Sequence, residues 1–382
     1  MEITTTKRQT LNSVFSIEVL RGVAVLLVAF LHGREVCWIG TQSYLHQMHF
    51  KVSLTGLLAL ITQPVVFGSI GVPIFFVLSG YCIHRKTAFK IAAATNPKYF
   101  KFSWGEFLVR RFIRIYPVLV GALLLTYLLD SRSITFPHIN YKLGSLTGKS
   151  FLINLFALQG ILGPTFGSNG ALWSLSVEIQ FYLFYPLLLL VRKFIGYNKT
   201  LAVIAVVNLI SWLVFGQKII FTSYYVSWYL GFYIAEIEAN KVFEAVSKKL
   251  CLFIGIILIL FGCGIFFTHN EKIFFNLWAL GFAFYLWYIL NRSYRVNYFS
   301  KILAFFGKIS FSLYAVHLPI FVFLMSFFFD SQKPVSLIPA FSFLFIAVGL
   351  SWLFHELAER PAQKLLSGLR RPDPIELNYQ DV

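Results

Sequence analysis

Charged residues are scarce in this sequence of 382 residues. Asp, Glu, Lys and Arg together make up 13% of the chain, while 58% is hydrophobic. A soluble domain of this length would carry about twice that charged fraction, so the scarcity excludes an ordinary soluble protein. The apolar runs are long and separated by charged turns, which favours membrane-spanning helices over a β-barrel, whose strands would alternate in polarity.

Several sequence motifs of common chemistry are also missing. The chain has no Walker loop, no Gly-x-Ser-x-Gly elbow and no His-Glu-x-x-His segment. Its cysteines have neither metal-binding nor redox spacing and are expected to pack as small apolar residues. They are Cys37, Cys82, Cys251 and Cys263. We therefore expect no metal and no bound cofactor.

Acidic residues are few, and the 33 Lys and Arg against 16 Asp and Glu give a formal net charge of +17. Nucleic-acid binding would suit such a charge, but basic residues also collect in the cytoplasmic loops of membrane proteins. With the N-terminus inside, the cytoplasmic segments hold 24 of the 33 basic residues, the outer loops hold 8, and Arg21 lies within the first span. We therefore expect no nucleic-acid partner and place both termini in the cytoplasm.

The apolar runs predict an all-α, polytopic membrane bundle of about ten transmembrane helices. They lie near residues 13–32, 57–80, 114–129, 171–191, 200–216, 219–235, 250–267, 273–290, 303–328 and 335–355. Each is close to the roughly 20 residues that a helix needs to cross a bilayer. We expect one transmembrane domain over residues 1–362 and a short cytoplasmic tail over 363–382.

The first span carries the most unusual pair of polar residues. Arg21 and His32 are eleven positions apart, which places them on one helix face and about 16 Å apart along its axis. An arginine within an apolar span costs several kcal/mol unless it has a partner or lines a wet cavity. We expect one continuous route through the bilayer, with Arg21 in its inner half and His32 near its outer end.

A second group of basic residues lies where the third span begins. Arg110 and Arg114 share a helix face, and Arg111 flanks them. Clustered guanidinium groups suit phosphate or diphosphate through bidentate hydrogen bonds. The alternative is ordinary cytoplasmic charge that contacts anionic lipid headgroups.

Three further spans carry polar residues on otherwise apolar faces. Glu178 and Tyr182 share one face of the fourth span, and a carboxylate there needs a partner, for which Arg21 and His32 are the candidates. Tyr314 and His317 share a face of the ninth span, where a satisfied core histidine is the alternative. Ser79 closes the second span, either beside a polar path or in close helix packing.

These motifs, taken in order, resemble those of the acyltransferase family 3 membrane proteins, from about residue 15 to 362. The shared motifs are Leu20-Arg21-Gly22 with His32, Gly71-Val-x-x-Phe-Phe-Val-Leu-Ser-Gly80, Arg110-Arg111-x-x-Arg114-Ile-x-Pro117, Trp173-Ser-Leu-Ser-x-Glu178-x-x-Phe-Tyr182, Ser310-x-Ser-Leu-Tyr314-x-x-His317-x-Pro319 and Glu359-Arg360-Pro361. One position departs from the family: Pro73 stands where an acidic residue is usual. If that acid orients the catalytic histidine, Glu178 is expected to replace it.

The resemblance implies a membrane-bound O-acyltransferase of the bacterial inner membrane. It would move an acyl group, most simply acetyl, from cytoplasmic acyl-CoA to a hydroxyl of a glycan or lipid-linked sugar on the outer side. On this reading His32 is the general base, with Arg21 and Glu178 in the catalytic group. The expected donor ligands are Arg110, Arg111, Arg114, Ser79 and Tyr116. The expected acceptor or pore-lining residues are Trp173, Tyr182, Tyr314 and His317.

A transporter or flippase for an anionic or lipid-linked glycan is the alternative. Ten helices, a basic inner vestibule and polar residues within the membrane would fit it as well. The two readings differ in one respect, because only the enzyme consumes acyl-CoA.

Overall fold

The computed structural model describes residues 2–47, 53–94, 102–216, 218–242, 247–292 and 296–368, with side chains from residue 14 onward. Within those ranges the protein is all-α, as the composition predicts. Its α-helices are α1 Glu2–Cys37, α2 Thr41–Gln47, α3 Leu54–Ile61, α4 Gly71–Ala93, α5 Trp104–Ser133, α6 Gly148–Leu155, α7 Leu172–Phe215, α8 Tyr225–Ala239, α9 Lys248–Phe266, α10 Glu271–Leu290, α11 Tyr298–Lys308, α12 Ser310–Phe329, α13 Ile338–Phe354 and α14 Arg360–Gly368. Short 3₁₀ turns precede α4 and α8, and a π-helical turn, His355–Glu359, joins α13 to α14.

Eight segments in the described part of the chain are long and apolar enough to cross a membrane. One of them is α7, which contains two helical halves, because Gly196 breaks it with φ 79° and ψ 161°. The predicted ten crossings are reached if both halves of α7 and the 15-residue helix α8 each span the bilayer. The number ten and the orientation stay predictions.

Two boundaries differ from the sequence analysis. The apolar run 303–328 is divided between α11 and α12, which meet at Ile309. Helix α14 runs through Gly368, past the expected domain boundary at residue 362. The rest of the predicted tail, from residue 369, lies outside the described residues.

Glycines set the closest helix contacts around the site. A Cβ on Gly22 of α1 would lie 1.9 Å from the carbonyl oxygen of Leu303 in α11, and one on Gly307 would lie 1.9 Å from that of Glu18. Real Cβ atoms do not approach oxygen so closely, so only glycine permits this crossing. Helices α4 and α8 cross in the same way at Gly80 and Gly231. Close helix packing, one of the two alternatives for the end of the second span, is therefore present at Gly80, while the adjacent Ser79 lines a cavity described below.

Buried polar residues fix the start of α7 to its neighbours. Asp130, at the end of α5, accepts hydrogen bonds from the Ser168 amide at 2.6 Å and from its hydroxyl at 2.8 Å. The side-chain amide of Asn169 donates to Thr126 of α5 at 3.1 Å and to the Ala315 carbonyl of α12 at 2.9 Å. Because these bonds hold the loop before α7, they determine where the first turns of α7 face.

Candidate functional site

Two cavities lie along α1. The first, which we call the arginine cavity, has a volume of about 250 Å³ and is lined by Glu18 and Arg21 among others. The second, the histidine cavity, has a volume of about 300 Å³ and is lined by His32. Tyr314 lines both. Tyr314 is therefore the residue at which the two cavities adjoin, and the single continuous route expected from the sequence stays a prediction.

Three guanidinium groups and two carboxylates line the arginine cavity. Their residues are Arg21, Arg111, Arg114, Glu18 and Glu178. The guanidinium of Arg21 lies 3.7 Å from the carboxylate of Glu18, which is one turn earlier on α1.

Arg111 and Arg114 stand out because neither forms an ion pair with a described residue. The guanidinium of Arg111 lies over the rings of Phe107 and Tyr182, at 5.4 and 5.7 Å. Its buried Nε has no hydrogen-bond partner among the described residues. A buried guanidinium nitrogen without a partner is costly, so this group is suited to receive an anionic ligand.

Two of the expected donor ligands lie elsewhere. Arg110 binds Glu106, one turn earlier on α5, at 2.6 Å, and lines neither cavity. Tyr116 stacks on Phe112 with ring centroids 4.1 Å apart and also lines neither. Arg111 and Arg114 lie on the side of α5 that faces the cavity. Arg110 is one position before Arg111, about 100° around the helix, and therefore points away from the cavity.

Glu178 is bound within the arginine cavity and not to His32. Its carboxylate accepts a hydrogen bond from the Tyr182 hydroxyl, which also lies 3.0 Å from the Ser79 hydroxyl. Trp228 donates to Ser79 at 3.2 Å. The expected pairing of Glu178 with His32 is therefore not formed, because the two side chains line different cavities.

The partner of His32 is His317, on α12. Nδ1 of His32 lies 2.7 Å from Nε2 of His317, and the rings are stacked with centroids 5.1 Å apart. Nδ1 of His317 lies 2.9 Å from the Leu313 carbonyl oxygen. A carbonyl can only accept, so Nδ1 of His317 carries a hydrogen, and its Nε2 accepts from His32 when both rings are neutral. The lone pair of His32 is then on Nε2, which has no other partner among the described residues.

Aromatic residues line the two cavities and the place where they adjoin. The hydroxyl of Tyr314 lies 2.6 Å from that of Ser174, and its ring meets Phe75 edge-on at 5.7 Å. Trp173 lines the histidine cavity and packs against Phe76 and Tyr224. The predicted acceptor or pore-lining residues are therefore distributed, with Trp173 in one cavity, Tyr182 in the other and Tyr314 at their boundary.

Sequence reasoning missed two residues of the histidine cavity. His269, in the turn between α9 and α10, and Glu271, the first residue of α10, both line this cavity. The only signal was a run of five polar residues, 268–272, between two apolar runs, which is also the ordinary appearance of a surface turn. Folding brings this turn, about 240 positions away in sequence, to His32.

Comparison with known proteins connects this geometry to a family. The sequence profile described as "Acyltransferase domain" matches residues 14–356. Proteins named "Putative O-acetyltransferase" from Staphylococcus aureus strains MSSA476 and MRSA252 are each 26% identical over 364 residues, which cover 82% of this chain and 57% of the relative. An uncharacterized protein of Haemophilus influenzae is 33% identical over 128 residues, covering 32% of this chain and 50% of that protein.

The chain therefore spans little more than half the length of the Staphylococcus relatives. No solved structure matches it. The profile covers the bundle, including the helices that carry Arg21, His32 and Arg111. Since it matches most of the chain, the protein belongs to acyltransferase family 3.

Proposed function

We propose that this protein is an O-acyltransferase of the bacterial inner membrane that moves an acyl group, most simply acetyl, from acyl-CoA to a carbohydrate hydroxyl. Family membership supports acyl transfer, and the names of the Staphylococcus relatives suggest an oxygen acceptor. The observation that carries the proposal is the His32–His317 pair, which leaves a ring nitrogen of His32 free to accept a proton in a cavity.

The donor is proposed to enter from the arginine cavity. Acyl-CoA has several phosphate charges and a narrow arm that ends in a thioester. Arg111 and Arg114 have no carboxylate partner in the described part of the chain, so they are available for phosphate oxygens, while Arg21 lies deeper along α1. The cavity volume of about 250 Å³ suits the arm better than the whole nucleotide.

The acceptor hydroxyl is proposed to reach His32 from the histidine cavity. Nε2 of His32 takes the hydroxyl proton while the oxygen bonds to the thioester carbonyl carbon. The carbon–sulfur bond then breaks, and the sulfur leaves as the CoA thiol with the proton held by His32. A histidine suits this exchange because its ordinary pKa lies near neutral pH. The reacting atoms must meet at the boundary between the cavities, so the side chain of Tyr314 has to allow the thioester to pass.

A turnover experiment tests the proposal. Purified protein in lipid nanodiscs is given acetyl-CoA with and without a glycan extract, and both CoA thiol and acetylated product are measured. We expect thiol release to depend on the acceptor. His32→Ala should lower the rate of thiol release roughly 100-fold or more, while its melting temperature stays that of the wild type. Full activity of the variant would remove His32 as the base. Movement of a glycan across the bilayer with no thiol release from any acceptor would favour the transporter.

A further inference from the structure

The ionisable residues that line the two cavities differ in charge. Three arginines line the arginine cavity. Among the described residues, no lysine or arginine lines the histidine cavity, and its ionisable residues are His32, His269, Glu271 and Tyr314. Glu271 is the first residue of α10, where the helix dipole stabilises a carboxylate. An ionised Glu271 therefore gives this lining a negative charge that no described lysine or arginine of the lining balances.

The lysines that act electrostatically on Glu271 and His32, which are Lys272 and Lys142, lie outside the lining. Lys272, the next residue, donates to the Gly216 carbonyl and does not line the cavity. Lys142 also lies outside the lining and binds Glu35 at 2.6 Å. The walls are apolar, with Phe266, Phe274 and Phe275 among them, and low-dielectric surroundings strengthen repulsion between like charges. An anionic group held in this cavity would be disfavoured.

The remaining polar groups suit an uncharged polyol. The buried hydroxyl oxygen of Ser69 has no hydrogen-bond partner among the described residues, and Ser69 lines the cavity. His269 and Glu271 provide further hydrogen-bonding atoms, and Trp173 provides an aromatic ring. Several polar atoms beside an aromatic surface are the features that hold a sugar ring.

We infer that the histidine cavity binds an uncharged sugar ring as the acceptor, and that Glu271 excludes rings that carry a carboxylate or phosphate. The inference rests on the proposed function and names the substrate class of the same site. It places the anionic donor and the neutral acceptor in separate cavities, so that the charge of each cavity selects its own substrate. Glu271 acts here as a specificity residue and not in the chemistry.

A pair of probes that differ only in charge tests the inference. Octyl β-glucuronide and its methyl ester are compared as inhibitors of octyl β-glucoside acetylation by the protein in nanodiscs. We expect the uncharged ester to inhibit at a concentration at least tenfold lower than the acid. Glu271→Gln should reduce that ratio to below about threefold. Asp330→Asn is the matched control, because this carboxylate binds His138 outside the cavity and its left-handed backbone tolerates asparagine.

Equal inhibition by acid and ester, or a ratio that Glu271→Gln leaves unchanged, would overturn the inference. If octyl glucoside is not acetylated at all, it is not an acceptor for this protein, and the inhibition assay does not measure the cavity's preference for an uncharged ring. The two probes are then compared by how well they protect His269 from diethyl pyrocarbonate, a readout that needs no turnover. Protection by the ester alone would support the inference, and equal or absent protection by the ester would overturn it.

Discussion

A single hydrogen bond decides which nitrogen of His32 is free. His317 holds the Nδ1 side of the ring, and the Leu313 carbonyl in turn fixes the tautomer of His317. The nitrogen of His32 that Glu178 was expected to hold contacts His317 in the structure, and we infer that this second imidazole orients His32. A neutral imidazole can orient His32 but gives the imidazolium less stabilisation than a carboxylate would.

Replacing His317 tests this orienting role. We expect His317→Ala to lower kcat by roughly 10- to 100-fold, the range found when the partner that orients a working histidine is lost. The KM for acyl-CoA should stay within about twofold, since His317 does not line the arginine cavity. His317→Gln, whose amide oxygen can accept from His32, should recover part of the rate. A His317 variant whose KM for acyl-CoA rises while its kcat is unchanged would contradict the orienting role of His317.

Two adjacent arginines on α5 test the donor site. We expect Arg111→Ala to raise the Kd for acyl-CoA by about 10-fold or more, because hydrogen bonds to charged groups are worth roughly 1.5–3 kcal/mol. Arg110→Ala is the matched control, since Arg110 is engaged with Glu106 outside the cavity. Equilibrium binding of labelled acyl-CoA measures both. Equal losses in the two variants would indicate general attraction between basic residues and the donor.

Among the helices, the crossing of α1 and α11 depends on glycine. Gly22 follows Arg21 directly, so the contact that places α1 against α11 also fixes the depth and direction of Arg21. The glycine of the Leu-Arg-Gly motif is therefore required for helix packing, independently of any role in catalysis.

A methyl group at this crossing should destabilise the bundle. We expect Gly22→Ala to lower the free energy of unfolding by about 1–3 kcal/mol, the usual cost of overpacking, because the added Cβ meets backbone that cannot turn away. Gly349→Ala in α13 is the control, since nothing lies within 4 Å of its position. Thermal unfolding in detergent compares them. Equal melting temperatures for Gly22→Ala and the wild type would show that the two helices can separate freely.

Ser174 of α7 and Tyr314 of α12 are hydrogen-bonded where the two cavities adjoin. If Tyr314 separates the thioester from water in the histidine cavity, loss of its bond to Ser174 should loosen that barrier. The measured quantity is the ratio of thiol release without acceptor to thiol release with acceptor. We expect Ser174→Ala and Tyr314→Phe each to raise this ratio several-fold. Ser176→Ala, two residues along α7 and outside both linings, should leave this ratio unchanged. An unchanged ratio in all three variants would argue against the barrier.

At the scale of the whole molecule, the two cavities and α1 define an axis from the arginines to His32. The positive-inside distribution predicts that the arginine cavity faces the cytoplasm, where acyl-CoA is made available. The proposed reaction needs this orientation, because the donor would otherwise approach the wrong cavity.

Helix α9 offers a direct test of orientation, because Ser247 precedes it and Thr268 follows it, and both are exposed. In a background with the four native cysteines replaced, we expect Thr268→Cys in whole cells to react with a membrane-impermeant maleimide. Ser247→Cys should react only after the membrane is opened. The opposite pattern would invert the orientation, and equal labelling of both without opening would mean that α9 does not cross the membrane.

The sequence by itself determined the class of the protein, because composition and the length of apolar runs are properties of the chain that no folding detail changes. It also identified His32, Arg21, Arg111 and Arg114 as residues of interest, since charged and titratable groups are conspicuous in apolar helices. The division of the run 303–328 into two helices at Ile309 was not predicted, although Gly307, Lys308 and Ser310 beside it are less apolar than the rest of the run.

Only the tertiary structure decided which polar residues meet. His32 and His317 are 285 positions apart, and no local pattern specifies a contact over that distance. The same holds for Glu271, because its proposed role depends on the cavity that it lines. It also holds for Arg110, which differs from Arg111 only by a rotation of about 100° around the helix. Spacing places residues on a helix face, but the packing of the other helices determines what that face contacts.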